Sequence, residues 1–496
     1  MPATAPLPLA AGTEFLFFDL QEFAERERLV LRLGRATKHP HNPLLTPGDM
    51  NEWDSAQASP WATRTVLYDP ADQRFKCWYN GTDAGPQRWW RVGYAESADG
   101  VQWVKPRLGL VEFEGRRENN LLPVGLGPVL LDDADPDPRR RFKLIGRNGP
   151  AHVLGSSPDG QRWDAWETLD LGALGPVNDA VVLLRDDAAR DPARRYAFVW
   201  QMRVPAAKPG PAQARAKCLA FSPDARHWTP VAANPILSPN DGFEHENHFL
   251  MLLPWKGHYL LLYECGWYHP DGTGRFGRYS ADIRLAHSRD GVHFARVLPD
   301  DAIIARGAPG EWDGQMLVVC DKAVVRPDGL YLYYCGQGCE WTSWPPENAA
   351  PGDRFKTPDN PLGGTGSMRL SQMGLATLRP DGFTALEVAD RQSWGTATTV
   401  PLAPTAAGAG LRLTANFAGG RASRSWLQAE VLDAASGQPL PGFTRADSAM
   451  IAGDGLALPV RWRGGEWGAA PATGPVQLRV WLYGAARLHS LAWRAE

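Results

Sequence analysis

The sequence predicts an all-β chain, namely a five-bladed β-propeller followed by a small antiparallel β-sandwich. The 51 Gly and 43 Pro of its 496 residues are spread along the whole chain. This even distribution favours many short strands joined by tight turns over long helices. A turn motif of the form Ser-x-Asp-Gly-x-x-Trp also recurs, and regular internal repeats indicate a repeat architecture.

The repeated turn motif marks one hairpin in each repeat. Its copies are Ser97–Trp103, Ser157–Trp163, Ser222–Trp228 and Ser288–Phe294, with a degenerate fifth at Leu378–Phe383. The third copy has Ala225 in place of Gly. The aspartates of successive copies are 60, 65, 66 and 91 residues apart, and each copy follows a short apolar run. Each copy therefore predicts a hairpin turn with a packing aromatic side chain.

A second repeated unit, two apolar strands split by an acidic or Pro/Gly turn, precedes each hairpin. Its first copy is RTVLYDPADQRFKCWYNG and its last is AVVRPDGLYLYYCGQ. Two such strands and one hairpin give four strands per repeat, and five repeats predict five propeller blades. A sixth blade would need another hairpin of this kind, which the sequence lacks. We expect the propeller to span residues 46–390.

The two ends of the chain differ in composition from the repeats. Residues 391–496 are rich in Ala and Gly and contain alternating runs such as LRLTANF and VQLRVWLYG, which predict the β-sandwich. Residues 1–45 are expected to pack on the propeller. Within them, Glu14–Leu45 is predicted to contribute a helical turn and an outer strand that closes the ring.

Charge and hydropathy exclude several classes of function. The net charge of −3 and pI of about 6.4 argue against a nucleic-acid partner, and no apolar stretch approaches the length of a membrane span. The N-terminus lacks a signal-peptide pattern, which predicts a cytoplasmic protein, or a secreted or periplasmic one if a leader was removed. The six cysteines lack zinc-site spacing, so no metal is expected. No cofactor is expected either. A homo-oligomer stays open.

Loop lengths locate the face of the propeller that we expect to carry the function. The connections between second and third strands are long and varied, whereas the Asp-Gly hairpins at the opposite end are short. Long variable loops on a rigid scaffold commonly carry binding and catalytic residues. These loops also contain many aromatic residues, which suit the stacking of sugar rings. A carbohydrate is therefore the expected substrate.

Acidic residues stand where the innermost strands begin, close to the predicted axis. The candidate catalytic residues are Asp54, Asp179, Glu246 and Asp313. Carboxylates that converge on one axis repel each other, so some pKa values rise and one group can stay protonated near neutral pH. A protonated and a charged carboxyl group together cleave glycosidic bonds. We favour Asp179 and Glu246 as the pair, although such acids also commonly bond loop amides.

Further residues near the same strand starts are candidates for substrate binding. Trp53, Trp61 and Trp267 are predicted sugar platforms, and Arg64 and Gln315 are predicted to bind hydroxyl groups. His245 and Glu264 complete the substrate-binding set. His245 and His248 are three residues apart on a strand start, where side chains an odd number apart diverge, so no metal site is predicted.

Several segments of the chain resemble a known family. YAESADGVQW, DDADPDPRRRFKLIG, NDAVVLL, GEWDGQML and GLATLRPDGF are similar to the propeller proteins described as glycosyl hydrolase family 32-like, and the tail RLHSLAW is similar to their appended sandwich. The resemblance, over about residue 45 to the end, implies a five-bladed propeller glycosidase related to families 32 and 43. It also implies three acids at innermost-strand starts: a nucleophile or base, a pKa-tuning Asp and a general acid. The fructofuranosidase signature Trp-Met-Asn-Asp-Pro-Asn-Gly is absent.

The sequence therefore predicts a glycoside hydrolase that acts on oligosaccharides or polysaccharide fragments by a two-carboxylate mechanism at the propeller axis. Two alternatives stay open. A propeller-type glycoside phosphorylase would need a basic cluster near the axis to bind phosphate. A non-catalytic carbohydrate-binding propeller would leave the aligned acids without a chemical role.

Overall fold

The structure is a computed structural model of the chain. It describes residues 6–49, 51–55, 57–60, 64–83, 90–148, 150–163, 165–177, 180–270, 276–309, 311–338, 341–342, 371–391, 393–404, 411–420, 424–470 and 474–495. These residues are all-β and contain short 3-10 helices at Pro138–Arg140, Gly172–Leu174, Pro192–Arg194, Pro239–Asp241 and Trp467–Ala469. Within those ranges, no helix is long and apolar enough to cross a membrane.

The chain divides into two compact units. The larger unit comprises residues 36–378, and the smaller unit combines residues 1–35 with residues 379–496. The N-terminal strands are β1 (Leu7–Leu9), β2 (Glu14–Leu16), β3 (Phe23–Glu27), β4 (Leu29–Leu33) and β5 (Thr37–Lys38). Of these, β5 alone lies within the larger unit.

The larger unit contains five successive groups of strands. The first group is β6 (Gln57–Ser59), β7 (Thr65–Asp69), β8 (Arg74–Thr82), β9 (Arg91–Ser97) and β10 (Leu121–Leu122). The second is β11 (Val129–Leu131), β12 (Phe142–Asn148), β13 (Ala151–Ser157) and β14 (Ala165–Leu169). The third is β15 (Val182–Arg185), β16 (Tyr196–Pro205), β17 (Gln213–Ser222) and β18 (Thr229–Pro230). The fourth is β19 (Leu250–Trp255), β20 (His258–Pro270), β21 (Phe276–Ser288) and β22 (Ala295–Val297). The fifth is β23 (Met316–Val319), β24 (Val324–Arg326), β25 (Gly329–Gln337), β26 (Trp341–Thr342) and β27 (Gln372–Leu378).

Strand order within the groups is that of propeller blades. The second, third and fourth groups are four-stranded and antiparallel in chain order, and in the fifth group β27 pairs with β25 on one side and with β5 on the other. Neighbouring groups contact each other in chain order through β7, β11, β15, β19 and β23, and β24 contacts β7, so the groups close a ring. This arrangement is a β-propeller. The count of five blades is supported by the five groups and stays a prediction.

The repeated hairpins dock each group onto its neighbour. In the first copy, the amide of Gly100 donates to Ser97 Oγ (2.9 Å) and the amide of Val101 donates to Asp99 Oδ1 (2.8 Å). Tyr333 of the fifth group donates from its hydroxyl to the carbonyl of Gly100 (2.8 Å). Ala225 of the third copy adopts the left-handed backbone that glycine adopts in the other copies, with φ of 62°. The serine and aspartate caps therefore hold this turn even without glycine.

The smaller unit is a β-sandwich. Its remaining strands are β28 (Thr384–Val388), β29 (Trp394–Thr399), β30 (Leu402–Pro404), β31 (Leu411–Ala418), β32 (Leu427–Asp433), β33 (Asp454–Pro459), β34 (Val476–Tyr483) and β35 (Arg487–Ala495). One sheet has the order β1-β30-β34-β29-β3 with β32 paired to β34, and the other has the order β33-β31-β35-β28-β4 with β2 paired to β35. Buried side chains such as Phe17, Phe417, Leu478 and Trp493 form its core.

The N-terminal segment differs from its prediction. Strands β1 to β4 pair with strands near the C-terminus and not with strands of the propeller, and so they complete the two sheets of the sandwich. The outer strand expected within Glu14–Leu45 is present as β5, but the expected helical turn is not, since the segment forms strands. The degenerate hairpin at Leu378–Phe383 leads into β28 of the sandwich, and β5 supplies the fourth strand of the fifth group.

Candidate active site

The first carboxyl group of the site is that of Glu246, at the start of the fourth group of strands. It precedes β19 and forms an isolated bridge with Gly266 of β20, which fixes its backbone beside that strand. Its side chain is buried, and Oε1 accepts from Arg215 Nη1 (2.9 Å) and from the hydroxyl of Tyr268 (3.1 Å). Oε2 accepts from the backbone amide of Arg215 (2.7 Å). The Arg215 guanidinium therefore supplies the countercharge to an ionised Glu246.

Glu264, on β20, is the second carboxyl group of the site. It is fully buried, and its Oε1 accepts a hydrogen bond from the hydroxyl of Tyr279. Its Oε2 accepts no hydrogen bond from any described residue. Burial raises the pKa of Glu264 to about 8, against the opposing effects of the Tyr279 bond and of the Arg215 charge. Glu264 is therefore protonated at neutral pH.

The hydrogen-bond donors of the two glutamates lie side by side. The rings of Tyr268 and Tyr279, which donate to Glu246 and Glu264 respectively, lie 5.0 Å apart. Burial raises the pKa of Tyr279 well above its ordinary value, and the charges of Glu264 and Glu246 add to that effect. The tyrosine hydroxyls therefore stay protonated and act as donors. A proton-bearing carboxyl group next to an ionised one is the arrangement required for general acid and base catalysis.

A cavity of about 580 Å³ opens between the second and third groups of strands. Its described lining combines apolar residues with Arg147, His152, Gln201 and Arg203, and contains no acidic residue. Burial and then the Arg147 charge lower the pKa of His152. Arg203 pairs across β16 and β17 with Arg215, which binds Glu246. Ala180 lines the cavity and packs in one cluster with Tyr268 and Tyr279, whose hydroxyls bind the two glutamates. Neither glutamate itself lines the cavity.

Asp54 lies in a different environment, in the first group. Its Oδ2 accepts hydrogen bonds from the Tyr79 hydroxyl (2.8 Å) and from Lys105 Nζ (2.6 Å). Trp53 is buried beside it, and its indole donates to Asn120 Oδ1 (2.8 Å). Trp53 also packs against Tyr79, with ring centroids 5.5 Å apart. The predicted sugar platform Trp53 is therefore part of the core of its strand group.

Asp313 repeats the geometry of Asp54 in the fifth group. Its Oδ2 accepts from the Tyr334 hydroxyl (2.8 Å) and pairs with Lys38 Nζ (2.6 Å), while Trp312 stacks on Tyr334. Both aspartates end a Glu-Trp-Asp motif. The structure thus places Asp54 and Asp313 in matching ion pairs with a lysine, and no described contact joins either of them to Glu246 or Glu264. The two motifs therefore share one pattern of contacts, and the catalytic role of Asp54 and Asp313 stays a prediction.

The side chain of Arg64 binds the protein backbone. Its guanidinium is fully buried and donates to the carbonyl oxygens of Val181 (2.6 Å), Leu250 (3.0 Å) and Val319 (3.4 Å). These three carbonyls belong to the third, fourth and fifth groups of strands. The predicted hydroxyl binder therefore joins innermost strands at the centre of the ring.

The other predicted substrate-binding residues are Trp267, which lies on β20, and Gln315 and His245, which lie near it. Trp267 lies on the face of β20 opposite to Glu264, since side chains alternate along a strand. Gln315 contacts Ser280, the residue of β21 paired with Trp267. Arg306 covers the ring of Trp267 at 5.1 Å, and Gln315 donates to Ser280 Oγ. His245 adjoins Glu246, with its ring 6.2 Å from that of Tyr268. Burial and then the Lys208 charge lower the pKa of His245.

Two predicted residues, Asp179 and Trp61, lie outside the described residues. Their roles stay predictions. The described residues contain no group of three or more His, Cys, Asp or Glu side chains arranged to hold a metal ion.

Sequence reasoning missed the partners of the glutamates. Arg215, Tyr268 and Tyr279 stand at the ends of β17, β20 and β21, and only strand pairing brings them to Glu246 and Glu264. The sequence did carry one signal for the pair, because Glu264 interrupts the apolar run LLLYECG. A lone acid inside an apolar strand is expensive to bury and marks a group with a special environment.

Comparisons with known proteins found structural likeness only. No family model matches the chain, and no curated protein matches its sequence. A structure from work on the GH130 family of mannoside phosphorylases, which contains glycoside hydrolases that target beta-1,2 mannosidic linkages in Candida mannan, is 15% identical with a TM-score of 0.42. It covers 70% of this chain and 95% of its own.

Two other solved structures are similar to the same extent. A glycosyl hydrolase from Bacteroides ovatus is 16% identical, with a TM-score of 0.42, and the match covers 70% of this chain and 94% of that one. An N-acetylgalactosamine deacetylase from F. plautii, in complex with blood group B trisaccharide, is 16% identical with a TM-score of 0.38, over 72% of this chain and 97% of its own. The function proposed below rests on the residues of the site and not on these likenesses.

Proposed function

We propose that the protein is a glycoside hydrolase in which Glu264 is the general acid and Glu246 is the second carboxylate. The observation that carries this proposal is a pair of neighbouring buried glutamates in unequal surroundings. Burial raises the pKa of Glu264 to about 8, whereas Glu246 binds the Arg215 guanidinium and the Tyr268 hydroxyl. A carbohydrate fragment is the substrate class.

The carboxyl groups of Glu264 and Glu246 carry out the proposed reaction. Glu264 donates its proton to the oxygen of the leaving group as the glycosidic carbon–oxygen bond breaks. Glu246 stabilises the positive charge that develops on the sugar ring. It either attacks the anomeric carbon as a nucleophile or, as a base, takes a proton from the water that attacks that carbon. Water supplies the new hydroxyl group, and the proton that it loses goes to Glu264 when Glu246 is the nucleophile, or to Glu246 when Glu246 is the base. Both glutamates lie in a water-excluded setting, where such electrostatic effects are strong.

Substitution of each glutamate tests the proposal. With a panel of aryl glycosides and oligosaccharides, Glu264→Gln and Glu246→Gln should each lower kcat at least 10²-fold, because general acid catalysis typically contributes about 10²–10⁴-fold. The matched control is Glu244→Gln, since Glu244 is a buried glutamate of the same segment whose carboxylate binds Arg296 Nε (2.9 Å). This control should lower stability while turnover persists. A folded Glu264→Gln protein with wild-type turnover would refute the assignment.

Asp179 belongs in the same series. The sequence predicts it as a partner of Glu246, and Asp179→Asn should abolish turnover while the melting temperature stays nearly unchanged. Retained activity would remove Asp179 from the site and leave the two glutamates as the pair.

A phosphorylase is the second candidate function, and the cationic cavity supports it. Arg147, His152 and Arg203 line a cavity whose described lining has no acid, and such a cavity suits a phosphate ion. Turnover that depends on inorganic phosphate and yields a sugar phosphate would favour this function. Turnover in phosphate-free buffer would favour hydrolysis. Binding of saccharides by wild type with no product under either condition would favour the non-catalytic alternative.

A further inference from the structure

A long loop, the excursion (residues 98–120), connects β9 to β10 in the first group of strands. After the hairpin turn the chain makes one bridge, between Val104 and Glu96, and then departs from the sheet until β10. The corresponding connection from β21 to β22 spans only residues 289–294. Loops of this length that keep an ordered structure commonly carry function.

The excursion is held by its own hydrogen bonds. Phe113 and Arg116 exchange backbone hydrogen bonds of 2.8 and 3.0 Å, and the amide of Leu108 donates to the carbonyl of Asn119 (2.8 Å). The side-chain amide of Asn119 donates to the carbonyl of Val111 (3.0 Å). The segment is therefore organised before any ligand binds, which lowers the entropic cost of binding.

A cavity of about 680 Å³ lies between this excursion and the segment that carries Asp54. Its size is within the usual range for small-ligand sites, roughly 300–1,000 Å³. Its acidic lining residues are Asp49, Glu52, Asp54, Glu114 and Glu118, and its basic ones are Lys105, Arg107 and Arg116. Asn51, Asn119, Asn120, Trp53 and Phe113 complete the described lining. None of these residues lines the other cavity, the one of about 580 Å³ between the second and third groups of strands.

The free donors and acceptors of this cavity identify its ligand class. Arg107, Arg116, Glu114 and Glu118 make no side-chain hydrogen bond or ion pair with any described residue, although they line one cavity. Charges of both signs line one cavity, and the five acidic residues outnumber the three basic ones, so the lining does not favour an anion. A neutral polyhydroxylated ligand matches it, because each hydroxyl group both donates to a carboxylate and accepts from a guanidinium.

The surrounding frame holds the cavity rigid. Both hydrogen bonds that Asp54 accepts, from Tyr79 and Lys105, end on Oδ2. Lys105 Nζ also donates to the carbonyl of Thr46 (2.9 Å), which ties the excursion to the opposite wall. Arg91 stacks on the ring of Phe113 at 4.9 Å and fixes this aromatic group in the lining.

We propose that this cavity is a saccharide-binding subsite, separate from the two glutamates, that takes a neutral sugar unit of the substrate. The inference rests on the proposed function for its choice of a carbohydrate ligand. It gives Asp54 and Trp53 a role in supporting a binding site. The excursion, and not the Glu-Trp-Asp motif, makes the site, because the motif also occurs around Asp313.

Binding measured in the full-length Glu264→Gln protein tests the inference apart from catalysis. The probes are neutral trisaccharides of glucose, mannose, galactose and arabinose, with trigalacturonic acid as the charged comparison, and the readouts are titration calorimetry and saturation-transfer NMR. We expect at least one neutral trisaccharide to bind. The double change Arg107→Ala/Arg116→Ala should weaken that binding at least tenfold, whereas Arg139→Ala, an exposed arginine paired to Asp137, should leave it unchanged.

Several outcomes would overturn the inference. These are binding of equal affinity in the double variant, preference for trigalacturonic acid, and no binding of any neutral trisaccharide. A Glu264→Gln protein that still hydrolyses glycosides would refute the catalytic assignment but leave the binding result standing. The failure of one proposal is therefore distinguishable from the failure of the other. Because Arg107 and Arg116 are exposed, the double variant should fold normally, and its melting temperature checks this.

Discussion

The carboxyl of Glu264 keeps its proton because burial outweighs the interactions that favour its ionised form. Burial raises its pKa, while the Tyr279 hydrogen bond and the Arg215 and Lys217 charges lower it. The result, a pKa of about 8, lies close to the operating pH, where a general acid is most effective. The activity of the protein should therefore decline as pH rises through about 8.

Tyr279→Phe should move this alkaline limit upward. The Tyr279 hydroxyl stabilises the ionised form of Glu264, so its removal raises the pKa of Glu264 further, by roughly half a unit to one unit. The pH profile of kcat/KM measures the shift. Tyr334→Phe is the control, since that hydroxyl donates to Asp313. An unmoved alkaline limit in Tyr279→Phe would show that Glu264 does not set it.

The same proton links stability to pH. The pKa of Glu264 is raised in the folded protein from an ordinary 4.5 to about 8, so the folded state binds a proton that the unfolded state has lost. Stability should fall as pH rises from about 5 to 8, by up to a few kcal/mol. Glu264→Gln should lack this loss and melt at a higher temperature than wild type at pH 8. The prediction would be contradicted if the melting temperatures of the two proteins changed with pH in the same way between pH 5 and 9.

Single residues also show where prediction from sequence stopped. The sequence predicts acids at strand starts, and Asp54, Asp313 and Glu246 are all buried there. It could not distinguish their roles, because Lys105 and Lys38 reach Asp54 and Asp313 from distant segments. Asp54 lies 51 residues before its lysine partner, a contact that only the fold specifies.

At the scale of elements, buried ion pairs join neighbouring groups of strands. Asp69 ends β7 and binds Lys76 (2.8 Å) of its own group and Arg141 (2.5 Å) of the next. Asp132 repeats this with Lys143 (2.6 Å) of its own group and with Arg185 of the third. The sequence indicates turn formers at these positions. The structure shows that Asp69 and Asp132 also tie adjacent groups together.

Asp69→Asn should lower the free energy of unfolding by about 3–5 kcal/mol, because it leaves two cations without their buried anion. Burial alone would raise the pKa of Asp69, but Arg141 and Lys76 outweigh it and hold the pKa well below its ordinary 3.8. This stabilisation is therefore present above pH 4 and is lost as pH falls below it. Urea unfolding at pH 7 and pH 3 measures both effects. The control is Asp300→Asn, at an exposed position, and equal losses in both variants would refute the role of Asp69.

Hairpins are the elements that the sequence predicts best. Each turn is specified locally, by a serine and an aspartate that bond amides two and three residues ahead, so its motif is legible without tertiary contacts. Strands β1 to β4 are the contrary case. Their partners lie more than 350 residues away, and nothing in the local pattern of residues 1–45 indicates which sheet they join.

For the molecule as a whole, Arg64 is a residue whose hydrogen bonds join three groups of strands. Arg64→Met removes hydrogen bonds to carbonyls of three strand groups and should lower the free energy of unfolding by about 3 kcal/mol or more, since bonds to charged groups contribute about 1.5–3 kcal/mol each. Calorimetry measures the loss, with Arg74→Met at an exposed position as the control. Equal melting temperatures for wild type and Arg64→Met would refute this role.

The sandwich is assembled from both ends of the chain, and this has a consequence for biosynthesis. Residues 7–33 leave the ribosome first, yet β28 to β35, which complete their sheets, are made last. The intervening 36–378 segment can close its ring while β1 to β4 wait with exposed edges, which other chains can pair with. Nascent chains stalled before residue 379 should therefore recruit chaperones at the N-terminal segment, and release should follow only when translation ends.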